Sequence, residues 1–580
     1  MIKGNYFEDN ADLRFNIEHF VDWETLIPLQ EQGFVDAAAF KQNGNKLLEF
    51  APASTAECLE GYAAVWSQIG KICGEEISPS ARAMEKHGIH LVSGKVNFPP
   101  DTQRIVDLIV KSGMLGTNIS RQNGGLQMNL TGSSAVFEML SRADVAFGIS
   151  ASCFNLAEVI ERFGDENMIK TWVPKMAAGE VCGAMALTEP NYGSDLSRVT
   201  TKAVKDNDGN WTLTGTKRFI THACGLNERP SMILTLARSA GPGAKGLSFF
   251  LVHSDEIEVT RIEEKMGLHT SPTCEIVFEK SKAQLIGEEG LGLVKYAIQM
   301  MNGARMGIAV QSVGIAQAAY EEGKKYAAER VQFGNTIENL PPVKRILDDN
   351  EAYVHAMRAL AYRACEVVDH YDGLVKKLVR EGEAERAIRK RPEIIRLDKL
   401  AKLLTPTAKL FNSESANTVA YHALQIFGGS GYTEEFDIAR IYRDARITTI
   451  YEGTTQLQAV AAIGAIVEGS RLGGILYEYI SAEIGKLPEA DNRKQLESDF
   501  DQFIRLVPVY KDRAGKEALA IDVVTAFAYL FCNILLCQQA QIAAEKQLSI
   551  AADKARIAKY FSALSRRYLG GVQIALSIAA

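Results

Sequence analysis

The chain has 580 residues, 47% of them apolar and 23% charged, and carries a formal net charge of −7. Composition this close to ordinary globular usage excludes a disordered, collagenous or membrane-dominated protein, and one hydrophobic core rarely organises more than about 250–300 residues, so several domains are expected. No block of like charge is long enough to form a nucleic-acid arm or an acidic tail.

The opening segment, MIKGNYFEDNADLRF, is acidic early and lacks the apolar core of a secretory signal. No continuous apolar run reaches the roughly eighteen residues that a membrane-spanning helix needs. The expectation is a cytoplasmic protein without stable membrane insertion. Nine cysteines are scattered without a CxxC pair, which favours reduced thiols and gives no metal site. Cys532 and Cys537, in AFAYLFCNILLC, read as core packing.

Residues 1–54 are irregular and read as an extension packed on the domain that follows. Residues 55–183 read as a helical domain, because apolar residues recur three and four apart in STAECLEGYAAVWSQIGKICGEEI and TQRIVDLIVKSGML. Between 184 and 290 the character changes to short β-branched and aromatic segments such as NWTLTGTKRFIT, SMILTLARS, GLSFFLVHS and CEIVFEKSKAQLIG, which read as a compact β domain. Helical periodicity returns over 291–466 as a bundle, interrupted by the charged stretch 375–397, which reads as a solvated helical hairpin or lid. Residues 467–580 read as a further helical extension.

Five motifs carry chemistry. In ALTEPNYGSDL, Pro190 and Gly193 force a turn on which backbone N–H groups and the hydroxyls of Thr188 and Ser194 converge. GTKRFITHA follows, then ERVQFG at a helix end expected at Gly334, where Arg330 offers a rigid fork of donors suited to a pyrophosphate. QIFGGSGY has glycines that permit close backbone approach but lacks the spacing and the preceding strand of a dinucleotide-binding fingerprint. The last is YRDARITTIYEGTTQLQ, with a single glutamate in a loop.

Taken together and in this order, these motifs resemble the acyl-CoA dehydrogenase family across most of residues 55–466. The resemblance implies an α+β multidomain fold: an N-terminal helical domain, a middle β-barrel-like domain and a C-terminal four-helix bundle, here with extra C-terminal helices like those of larger bacterial members acting on methylthiopropanoyl-CoA or long-chain substrates. It implies FAD as cofactor, held by Leu187, Thr188, Gly193, Ser194, Phe219, Thr221, Thr454 and Gln456. Arg330, Phe333, Gln425, Gly428 and Gly429 would reach the FAD of a neighbouring subunit, which implies a homodimer or a dimer of dimers. The catalytic base falls on Glu452, and Ser194, Glu452, Gly453 and His269 would contact the acyl-CoA. His222 stands where members often have Asn, and no clear arginine stands near His269, which disfavours a dicarboxylyl substrate.

The implied reaction is α,β-dehydrogenation to a trans-2-enoyl-CoA in fatty acid β-oxidation, with electron-transfer flavoprotein as acceptor. Two rival readings stay open: an acyl-CoA oxidase using oxygen, and a damage-response homologue that binds DNA. From Arg471 onward, 14 Lys and Arg face 12 Asp and Glu, too even a balance for a nucleic-acid surface.

Overall fold

The structure is a computed structural model describing residues 4–578. It forms two compact units, one built from Phe34–Ala304 and the other from Tyr6–Gly33 with the chain from Arg305 onward.

In the first unit the helical part begins with Thr55–Ile72, whose start is fixed reciprocally. Ser54 Oγ accepts the Glu57 N–H at 3.2 Å, and the Glu57 carboxylate accepts the Ala53 N–H at 2.8 Å. Helix Pro100–Lys111 starts on a proline and buries Thr102, Ile105, Val106 and Ile109, the three-and-four spacing seen in the sequence. A small hairpin, His90–Val92 with Lys95–Asn97, interrupts the helices and was not legible as strand.

Seven strands follow: β1 (Cys182–Ala186), β2 (Lys202–Lys205), β3 (Trp211–Thr221), β4 (Ser231–Arg238), β5 (Leu247–His253), β6 (Glu258–Ile262) and β7 (Thr273–Ile286). They pair in the order β1-β4-β2-β3-β7-β5, β5 returns to β4, and β6 adds to β7, so the sheet closes into a small barrel. Inside lie Trp211, Leu213, Ile220, Ile233, Phe250, Val252, Ile276 and Phe278. The outer faces of β4 and β5 bury Leu234, Leu236, Phe249 and Leu251 against Met168, Val173 and Met176 of the preceding helices. Burial on both faces is why SMILTL and SFFLV are continuous apolar runs without alternation.

The second unit contains α1 (Ile298–Glu329) from Arg305 onward, α2 (Pro341–Arg380), α3 (Pro392–Phe427), α4 (Thr455–Gly469), α5 (Ala520–Glu545) and α6 (Ala551–Ile578). Between α2 and α3, Leu378, Ile388 and Ile394 pack with Tyr371, Leu374 and Val375, so the charged stretch is a helical hairpin with its own small core. Cys532 and Cys537 are buried on α5, and all nine cysteines are unpaired thiols.

The segment Lys516–Glu545 is long and apolar enough to cross a membrane, with mean hydropathy 2.1, although 78% of that window is buried within the protein. Its polar residues Asn533, Gln538 and Gln539 interrupt any continuous apolar run and are themselves buried. The N-terminal segment Tyr6–Gly33 belongs with the C-terminal helices and not with the helical domain that follows it in sequence. The reason is a buried polar network. Asp12 pairs with Arg358 of α2 and Lys554 of α6, and with His355 at 3.0 Å; Lys554 also donates to Gln539 of α5 at 2.6 Å, and Gln539 donates to Asn16 at 2.8 Å. A second tie runs from the Asp22 amide to Glu366 at 2.8 Å.

Burial alone would raise the Asp12 carboxyl, but His355, Lys554 and Arg358 outweigh it and hold it well below the usual carboxylate range. A depressed folded value means that this stability is fully present above the ordinary carboxylate pKa, about 3.9, and is lost as pH falls through the folded value. Asp12→Ala strands two buried cations and is expected to lower stability at pH 7 by about 3–5 kcal/mol, seen as a lower urea midpoint. Part of the wild-type acid sensitivity should vanish with it, and equal midpoints for the two proteins would refute the assignment.

Candidate active site

In the first unit the loop after β1 is organised by Glu189. Its carboxylate accepts the N–H and hydroxyl of Thr200, both at 2.7 Å, those of Thr201 at 2.8 and 2.6 Å, and the Lys217 ammonium at 3.1 Å. Lys217 also donates to the Leu187 carbonyl at 2.9 Å. Burial pushes Glu189 up, but Lys217 and the threonine donors hold it at about 2, so it is ionised at neutral pH. Sequence reading gave Glu189 and Lys217 no role of their own; the signal was a charged residue at a fixed place in each of two motifs. With the turn pinned from inside, the Thr188 and Ser194 side chains and Gly193 stay accessible, while Leu187 is buried.

Phe219 owes its position to a bulge in β3. Lys217 pairs with Ile276 and Ile220 with Cys274, so Arg218 and Phe219 together face Glu275. Phe219 takes φ 63°, and its ring turns outward, 54% exposed, with the Arg218 guanidinium 4.7 Å from its centroid. Glu263 holds that guanidinium at 2.8 and 3.3 Å. Thr221 follows on the same strand with its hydroxyl unbonded among the described residues. His222 is fully buried at φ 56°: Nε2 meets Ser150 Oγ at 2.9 Å, Nδ1 meets the Gly225 carbonyl at 3.3 Å, and the ring stacks on Phe98. Burial lowers it to about 4, so it is a neutral hydrogen-bonding strut and not an acid–base group near neutrality. His269 is also engaged on both nitrogens, with Glu85 at 2.8 Å and the Lys265 carbonyl at 2.8 Å, so a contact to substrate would displace one of them.

In the second unit α1 ends at Glu329, five residues before the expected Gly334, because the chain enters a hairpin. Val331–Gln332 pairs with Asn335–Thr336 around a two-residue turn in which Phe333 and Gly334 take φ 53° and 80°. Arg330 is exposed beside it and the Phe333 ring is 92% exposed. Ile426 of α3 packs with Ala327 and Ile337, and Tyr326 stacks on Phe427 at 4.2 Å, which brings the hairpin beside the turn where α3 ends. Gln425, Gly428 and Gly429 are exposed there.

The glutamate loop lies between Ile450 and α4. Glu452 takes φ 54° and Gly453 φ 91°; a Cβ at Gly453 would stand 2.8 Å from Gln458 Nε2, so this position needs glycine. Gln458 donates to the Glu452 carbonyl at 3.1 Å and to the Gly453 carbonyl at 3.0 Å, and the buried Lys409 of α3 donates to the Gly453 carbonyl at 2.7 Å. Tyr451 donates to the buried Gln311 of α1. The Glu452 carboxylate and backbone N–H have no hydrogen-bond partner among the described residues. Burial raises the carboxyl, and Arg305 and Lys409 offset part of that rise. Thr454 opens α4 without a side-chain cap, Thr455 donates to Glu414 at 2.5 Å, and Gln456 is exposed. Lys409, Gln458, Arg305 and Gln311 were not singled out in the sequence, because residues in long helices carry no local signal of facing a loop.

Known proteins show the same organisation. The N-terminal, middle and C-terminal domain models of acyl-CoA dehydrogenases match residues 61–180, 184–281 and 292–465. The 3-methylmercaptopropionyl-CoA dehydrogenase of Ruegeria pomeroyi is 31% identical over 502 residues, covering 82% of this chain and 79% of its own. Among solved structures, the butyryl-CoA dehydrogenase of Megasphaera elsdenii aligns with a TM-score of 0.58 and 28% identity over 71% of this chain and 98% of its own. An acyl-CoA dehydrogenase of Bacillus anthracis, solved with FAD, aligns with a TM-score of 0.75 and 22% identity over 90% of this chain and 88% of its own. The ordered match of three domain models, over a fold with the helical, β-barrel and helical parts they require, places this chain in the acyl-CoA dehydrogenase family.

Proposed function

We propose that the protein oxidises an acyl-CoA thioester to the trans-2-enoyl-CoA, with Glu452 taking the α proton. The observation that carries this reading is the glutamate turn, where the Glu452 carboxylate and backbone N–H have no hydrogen-bond partner among the described residues while the Glu452 and Gly453 carbonyls are tied down. An unpartnered carboxylate with a raised pKa suits a general base. The unpartnered N–H suits the thioester oxygen as negative charge develops on it.

The family binds FAD, and the residues fit it. A Phe219 ring that is 54% exposed on a bulged strand offers a face to a flat apolar group, and the Thr188, Ser194 and Thr221 side chains offer hydroxyls beside accessible backbone. In this reading Leu187, Thr188, Gly193, Ser194, Phe219, Thr221, Thr454 and Gln456 hold the cofactor, and Ser194 and Gly453 also border the substrate. When bound, FAD supplies the acceptor for the hydride of the β carbon. The exposed Arg330, Phe333, Gln425, Gly428 and Gly429 are the surface by which a second copy would share its FAD, which makes the active form a homodimer or larger. Electron-transfer flavoprotein is the proposed reoxidant, and a role in fatty acid β-oxidation follows from that chemistry.

Glu452→Gln is expected to keep bound FAD and to lose anaerobic bleaching by acyl-CoAs, followed as flavin absorbance. Full bleaching by that variant would sink the assignment. Reoxidation of the reduced wild type by oxygen as fast as by electron-transfer flavoprotein would favour an oxidase. Arg330→Ala is expected to lower the FAD-to-protein ratio and shift light scattering toward the monomer; unchanged stoichiometry and mass would separate Arg330 from the cofactor.

A further inference from the structure

We propose that Lys409 is a positioning residue for proton abstraction: its buried ammonium clamps the turn that carries Glu452 and places a fixed positive charge beside the working carboxylate. The inference rests on the reading of Glu452 as the base.

The geometry is particular. Lys409 lies within α3, wholly shut off from solvent, yet its Nζ ends on the Gly453 carbonyl at 2.7 Å, one residue past the base. An ammonium buried in a helical bundle is costly unless it is both hydrogen-bonded and paired. Here the bond goes to a neutral carbonyl, and the charges facing it are Glu452 on the loop and Glu414 one turn further along α3, with Arg305 of α1 opposing. Glu414 is itself engaged by the Thr455 hydroxyl at 2.5 Å. Burial lowers Lys409 to about 8, with Glu452 and Glu414 holding it up against that, so the side chain is a cation at neutral pH.

A neutral donor would suffice to hold one carbonyl, and Gln458 already donates to that carbonyl at 3.0 Å. What the amide cannot supply is charge. The lysine therefore does two separable things. It fixes a left-handed turn that a non-glycine residue adopts only under constraint, and its charge favours the ionised form of a carboxylate that burial pushes up.

The test uses the FAD-loaded enzyme and its variants Lys409→Gln, Lys409→Met, Lys409→Arg and Glu452→Gln. Anaerobic flavin bleaching is followed by stopped flow from acidic to alkaline pH with butyryl-, octanoyl-, palmitoyl- and 3-methylmercaptopropionyl-CoA. Lys409→Gln keeps a donor and removes the charge, so the acidic limb of its rate profile should move up by about one to three pH units. At the wild-type half-point the rate should fall about tenfold or more, with a larger isotope effect for substrate deuterated at the α carbon. Lys409→Met should show the same shift and a further loss of rate, and Lys409→Arg should return the limb toward the wild-type position. A full complement of FAD with an unmoved limb in Lys409→Gln overturns the proposal, and so does loss of FAD or fold in every Lys409 variant, which would assign the residue to structure alone. If Glu452→Gln bleaches like the wild type, or no acyl-CoA bleaches the wild type, the reading of the base fails and the inference falls with it. A silent Glu452→Gln beside an unaltered Lys409→Gln leaves the base standing and removes only the lysine.

Discussion

Left-handed backbone at residues that carry side chains is the constraint on which the functional parts of this protein turn. Phe219, His222, Phe333 and Glu452 stand at φ between 53° and 63°, a region that costs bulky residues of order 1–3 kcal/mol each and persists only where the surroundings over-determine it. Each unit provides that determination by different means. Around Phe219 it is the closed barrel, where a bulge between two paired stretches leaves no other place for the extra residue, and where Glu263 pins the neighbouring Arg218. His222 is locked by Ser150 and Phe98. For Phe333 the hairpin register does it, and for Glu452 two donors from helices hold the adjoining carbonyls.

The extensions stabilise the scaffold on which one of these turns is hung. Lys409 belongs to α3, and α3 packs between α2 and α4. On α2, Arg358 and Glu366 are the points where the N-terminal segment and the C-terminal helices are fastened by buried ions and hydrogen bonds. Such networks contribute less to net stability than well-packed apolar groups would, because desolvation opposes them, but removing one partner is expensive. Their directional pairing favours a single registry of Tyr6–Gly33 against helices more than three hundred residues away in sequence.

Much of this was legible in the chain. Amphipathic spacing gave the helices around Tyr62 and Ile105, β-branched segments gave the barrel strands, and Gly428 marked the end of α3. The five motifs put Thr188, Phe219, Arg330, Gln425 and Glu452 where the structure has accessible or strained backbone. What escaped has a common physical cause. Gly334 marks a turn but not the end of α1, which stops five residues earlier because Phe333 shares the left-handed turn of a hairpin, a conformation usually left to glycine. The apolar run AFAYLFCNILLC reads as core and is largely buried, while the amides within and just after it, Asn533, Gln538 and Gln539, buried as well, conceal how far the apolar helix extends. Sequence adjacency points Tyr6–Gly33 to the neighbouring domain, but its buried apolar residues and Asp12 belong with helices far along the chain, which no local pattern reveals.

The charged residues that matter most were invisible for a further reason. Lys217 and Lys409 are fully buried, and in the sequence each looks like the polar face of its strand or helix. Each reaches a backbone carbonyl next to a functional turn, that of Leu187 in one unit and that of Gly453 in the other. Each also has an acidic partner within its own unit, Glu189 for the first and Glu452 for the second. The two differ in what that partner does. Glu189 has four further donors and is held at about 2, so its charge is spent on the loop. The Glu452 carboxylate has no hydrogen-bond partner among the described residues and burial raises it, so its oxygens remain open to a proton. The same device, a buried lysine tying a carbonyl beside a carboxylate, thus fixes a rigid loop where the carboxylate is saturated, and holds the turn of the proposed base where it is not.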